Sequence, residues 1–135
     1  MTKFSQSAYE TLIYSLPEND PGVASSTLRL YSTNQTSGTL RGQVYFKNGL
    51  TLHVFEMLDL SDGEIFEYSY TIYRGEQKIR WYDPQPHPDD PTLQSTFPHH
   101  YHTEPDIKHN RQPAEGITFT APNLPVLIAI CCQME

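Results

Sequence analysis

The chain has 135 residues, a formal net charge of −7, and 37% hydrophobic and 12% aromatic residues. That length suits one domain, residues 1–135, and the apolar content is enough for a core, which argues against global disorder. The acidic balance argues against a broad electrostatic grip on nucleic acid, which takes a basic face, but leaves room for a small local site.

Residues 5–16 read as a helix: Tyr9, Leu12, Ile13 and Leu16 recur at helical spacing, and Ser5 or Ser7 is placed to cap it. Pro17 and the Asn19-Asp20-Pro21-Gly22 cluster stop it. Residues 1–8 lack a basic segment followed by an apolar run, so no signal peptide is expected.

A β region follows. Leu28 and Leu30 alternate with polar neighbours. Residues 40–47, with Val44 and Phe46 on one face, meet residues 50–60 across Asn48-Gly49, a dipeptide suited to a tight hairpin turn. Ser61-Asp62-Gly63 marks a second turn. Residues 64–74 then carry Phe66, Tyr68, Tyr70 and Ile72 at period two. Gly75-Glu76 marks a third turn before residues 77–82, where alternation pairs Ile79 with Trp81 and leaves Arg80 with Tyr82 on the opposite face. The sum is an antiparallel meander of about five strands.

From Pro84 to Pro113 there are seven prolines and five histidines. Proline removes a ladder donor, so the stretch reads as an ordered, irregular loop lying across the sheet, anchored by Phe97 and Tyr101. The chain closes with a helix over residues 123–134, with Asn123 as cap, Pro125 in the first turn, and Leu124, Leu127, Ile128 and Cys131 on one face. Val126-Leu127-Ile128 also fits a buried terminal strand. The fold class is α+β: the meander, a helix at each chain end, and a long His/Pro-rich loop. The apolar run at 125–132 is too short to span a membrane. The adjacent Cys131 and Cys132 suit neither a disulfide nor a zinc half-site, so they read as reduced thiols of a cytoplasmic protein.

Candidate chemistry gathers in the loop. Phe97-Pro98-His99-His100-Tyr101-His102 puts three histidines in six residues, with His87 upstream and His109 downstream. In a strand, His100 and His102 would project from one face, as metal ligands do, with His87 or a carboxylate such as Asp83 or Asp89 completing a set. No cysteine lies nearby and zinc-enzyme spacing is missing, so neither a structural zinc nor a cofactor is expected. Acid–base catalysis by His87, His99, His100 and His102 is one reading, and a loop pinned by histidine hydrogen bonds is the other. Arg80 and Tyr82 suit phosphate binding, although a salt bridge from Arg80 to Glu67 fits equally. The Tyr68 and Tyr70 stripe reads as core, and His53, inside a strand, as a sheet histidine.

The order Tyr68-Ser69-Tyr70, Arg80-Trp81-Tyr82-Asp83, Pro86-His87-Pro88 and Thr96-Phe97-Pro98-His99-His100-Tyr101-His102 resembles the TumE-like toxins of bacteria and archaea, over roughly residues 44–134. Departures are a single histidine at His87 where a pair is common, a longer stretch over 103–116, and a less acidic C-terminal helix. The resemblance implies a toxin–antitoxin pair with a helix-turn-helix antitoxin. By analogy with other toxins it implies RNA as target, attacked without a metal by His87, His99, His100 and His102, with Arg80 and Tyr82 beside them. The rival is a non-enzymatic module, or degenerate family member, that binds a protein through the loop. Burial of Phe97 is expected to bring His87 and one of His99, His100 and His102 up to Arg80 or Tyr82.

Overall fold

The computed structural model describes residues 4–134. The leader expectation therefore falls partly on residues 1–3, outside the described residues. In chain order the elements are α1 (Gln6–Tyr14), β1 (Val23–Ser26), β2 (Arg29–Ser32), β3 (Ser37–Phe46), β4 (Leu50–Asp59), β5 (Glu64–Arg74), β6 (Gln77–Asp83), a 3-10 helix (Pro91–Thr96), β7 (His100–Thr103), β8 (Arg111–Pro113) and α2 (Leu124–Gln133).

All strands join one antiparallel sheet in the order β1-β3-β4-β5-β6-β7-β8, with β2 also on β3, so the described residues hold eight strands rather than five. The α+β class and the helix at each end stand as read. The long β3–β4 and β4–β5 ladders follow from period-two patterning with a glycine at each turn. Gly49 adopts φ +91° and Gly63 φ +69°, values a side chain resists.

Both helices cover one face of the sheet. Tyr9 and Ile13 of α1 and Leu124, Leu127 and Ile128 of α2 pack with the inward residues of β3 to β6. Ser5 caps α1, its Oγ accepting from the Ala8 N–H at 3.0 Å. Asn123 does not cap α2 with its side chain. Its Nδ2 donates to Tyr70 Oη at 3.0 Å and its Oδ1 accepts from Thr118 N–H at 2.9 Å. Tyr70 Oη and Tyr9 Oη both donate to Glu56, a fully buried carboxylate on β4. A chain of buried polar groups thus ties α1, β4, β5 and the entry to α2.

Two expectations on side-chain phase fail for the same reason. A bulge between Met57 and Leu58 on the β4–β5 ladder leaves Phe66 exposed while Ile65 and Tyr68 are buried. A second, between Ile72 and Tyr73 on the β5–β6 ladder, buries Ile79 and then Tyr82, which puts Trp81 on the open face. An inserted residue shifts every later side chain to the other side.

The stretch 84–113 is more regular than expected. After the 3-10 helix it forms β7 and β8, which extend the sheet beyond β6. Pro98 lies just before β7, and Pro113 sits at the last position of the outermost strand β8, so neither interrupts an interior ladder. Phe97, expected to be the buried anchor, is 48% exposed, and Leu93 of the 3-10 helix is buried instead.

Candidate functional site

Strand register decides which side chains meet. One row crosses the open face from Gln43 through His53, Thr71, Trp81 and His102 to Arg111. His100, two residues from His102, pairs with Asp83. Period two puts His100, His102 and Asp83 on one side of the sheet, and both imidazoles turn toward that carboxylate.

His100 Nε2 lies 3.3 Å from Asp83 Oδ1, His102 Nε2 lies 3.1 Å from Asp83 Oδ2, and the two Nε2 atoms are 3.2 Å apart. The other ring nitrogens are tied to backbone: His100 Nδ1 to Pro98 O at 3.1 Å and His102 Nδ1 to Lys108 O at 3.2 Å. Trp81 stacks on the His102 ring with centroids 4.7 Å apart. Asp83 Oδ1 also accepts from Gln85 N–H at 2.8 Å. All three members are buried.

His87 stands at the edge of this cluster, its ring edge-on to His100 at 4.8 Å. Desolvation lowers its pKa below the ordinary imidazole value, helped by the positive field of Arg111 and by His100. Arg111 is thereby placed on the histidine side, and its Nε is buried without a hydrogen-bond partner. Beside Asp83 opens a cavity of about 450 Å³ lined by Phe55, Glu67, Ser69, Trp81, Asp83 and Pro86, a volume suited to a small ligand.

The other residues named from sequence lie elsewhere. His99 points to the helix-covered side, where its Nδ1 meets Tyr68 Oη at 2.6 Å and its ring packs on Phe119 at 4.5 Å. Burial lowers its pKa, with His100 adding to the shift. Arg80 and Tyr82 alternate with Trp81 and Asp83 and so face away from His100 and His102. Arg80 donates to Tyr82 Oη at 3.2 Å and stacks over Tyr101 at 4.5 Å, at a separate cavity of about 350 Å³. Of the expected composite of His87 and at least one of His99, His100 and His102 with Arg80 or Tyr82, His99 shares a side with Arg80 and Tyr82, whereas His100 and His102 face the opposite side with His87 edge-on to His100. His109 is exposed beside Asp106, and the His53 ring lies tilted against Tyr73.

Sequence reading missed Arg111 and underweighted Asp83. Asp83 carried a signal, since a strand ending in aspartate precedes the histidine run. Arg111 carried none, because its place depends on β8 joining the sheet.

A comparison with protein families matches the model described as toxin TumE to residues 11–134. The chain belongs to the TumE toxin family. Membership makes it a toxin-type component of a toxin–antitoxin system and implies an antitoxin partner. The match runs from within α1 through α2 and so includes Asp83, His87, His100, His102 and Arg111. No curated protein and no solved structure matches the chain. No helix among the described residues is long and apolar enough to cross a membrane.

Proposed function

We propose that this TumE-family toxin acts in the cytoplasm by cleaving RNA at the Asp83–His100–His102 centre, with a helix-turn-helix antitoxin as its partner. The observation that supports this most is His87, an imidazole held toward its neutral form beside both His100 and Arg111. A neutral imidazole accepts a proton at neutral pH, and a guanidinium meets phosphate charge. In the proposed step His87 takes the proton of a ribose 2′-hydroxyl and the 2′ oxygen attacks phosphorus. The bond to the 5′ oxygen then breaks, and His87 returns to that oxygen the proton it took. Trp81 and Phe55 line the adjoining cavity and offer flat faces on which an unpaired base stacks.

Compared with the residues named from sequence, this reading keeps His87, His100 and His102, adds Asp83 and Arg111, and gives His99, Arg80 and Tyr82 packing duties. A second reading has the open face hold a protein partner, which the net charge of −7 favours. Induced expression of the wild type and of His87→Ala, followed by growth and bulk RNA integrity, separates the two. RNA decay preceding growth arrest in the wild type, and lost in the variant, supports cleavage. Arrest with intact RNA, unchanged in the variant, supports the protein-binding reading.

A further inference from the structure

The hydrogen bonds around His100 and His102 place a proton on each Nδ1. Pro98 O and Lys108 O are carbonyl oxygens and only accept, so each Nδ1 is a donor. In a neutral imidazole the other nitrogen is then a bare lone pair. With both imidazoles neutral, the form in which they ligate a metal, both Nε2 lone pairs aim at each other and at the Asp83 carboxylate, which also only accepts. The two Nε2 atoms stand 3.2 Å apart, Asp83 Oδ1 lies 3.3 Å from His100 Nε2 and Asp83 Oδ2 3.1 Å from His102 Nε2, and one ligand atom from each of the three buried residues lies within 4.8 Å of the others. A proton on one Nε2 relieves that repulsion, and so does a metal ion at the point the three residues share.

From this geometry we infer that Asp83, His100 and His102 bind one divalent transition-metal ion. The spacing fits: ligands at about 2.0 to 2.1 Å in a tetrahedral site stand roughly 3.3 Å from one another. The donors fit too, since two imidazoles and a carboxylate suit zinc, iron, cobalt or manganese and are poor partners for calcium or magnesium. The backbone carbonyls behind each Nδ1 are the outer contacts that orient metal-binding histidines, and Trp81 holds the His102 ring from its flank. Three protein ligands leave a coordination position for water or substrate, and His87 stands edge-on to the His100 ring. The sequence expectation of no metal rested on absent cysteines and standard spacings. The third ligand instead comes from β6 and joins only once β7 pairs with it.

This inference stands apart from the RNA reading, because metal binding is read on the protein itself. Untagged full-length protein, stripped with chelator, is titrated with Co²⁺ by visible absorption and then with Zn²⁺ in competition. Saturation at one equivalent, displacement by Zn²⁺, and affinity weakened more than about tenfold in His100→Gln and in Asp83→Asn are expected. His109→Ala should bind as the wild type does. Because a buried variant can fail to fold, imidazole nitrogen NMR on the wild type gives a second readout. Zn²⁺ should shift two Nε2 signals, those of His100 and His102. No saturable binding, or shifts confined to His53, His99 or His109, would overturn the site.

Discussion

Glu56 offers the most quantitative test of how this fold is held. It sits on the inward face of β4 with no exposed surface, hydrogen-bonded by Tyr9 and Tyr70. Burial raises its pKa from 4.5 to about 7, against the opposing pull of the two tyrosine hydroxyls. The folded state thus holds this proton more tightly than the unfolded chain. Between about pH 4.5 and pH 7 the folded protein carries more protons, so this group's contribution is fully present below 4.5 and is lost as pH rises through 7. The shift corresponds to about 3 kcal/mol across the window, at about 1.4 kcal/mol per pKa unit. Glu56→Gln keeps the shape and removes the titration. Urea unfolding followed by circular dichroism, from about pH 4 to about pH 8, isolates the group as the difference between wild type and variant. The variant should lose the slope and be the more stable protein, relative to the wild type, at the alkaline end. A difference that stays flat across the range, or that favours the wild type increasingly as pH rises, would refute the reasoning.

Three further outcomes follow from the same contacts. Tyr68→Phe removes the 2.6 Å bond to His99 and should cost about 1–3 kcal/mol in a denaturant melt while leaving Co²⁺ binding unchanged. Arg111→Ala should relieve toxicity on induced expression, whereas Arg80→Ala, on the other face, should lower stability and keep toxicity. If His87 is the proton acceptor, the RNA-cleaving rate should hold as pH falls to the ordinary imidazole value of 6.5 and drop only below it, a profile absent in His87→Ala.

The central ladders were legible because β3, β4 and β5 obey alternation and end in glycine turns. The two helices were legible from spacing and from Ser5 and Pro125. The bulges were not legible: nothing in Ile79-Arg80-Trp81-Tyr82 announces an inserted residue, and pairing Trp81 with Ile79 by strict alternation gave the wrong phase. β7 and β8 were hidden because proline and histidine are poor strand formers, and these strands exist through pairing with β6 and with each other. The site was half legible. The spacing of His100 and His102 stated that they share a face if extended, but only register could bring Asp83 and Arg111 to that face. Glu56 was visible in principle as the one acid in the inward set Leu52, Val54, Glu56 and Leu58.

The account's central claim is that the open-face centre, rather than Arg80 and Tyr82 behind the sheet, carries toxicity. Growth after induction of the wild type and of His100→Gln, with the variant's thermal melt recorded in parallel, tests this most directly. The account expects growth arrest by the wild type and none by a variant that still unfolds cooperatively. Arrest as strong from the variant as from the wild type would contradict it.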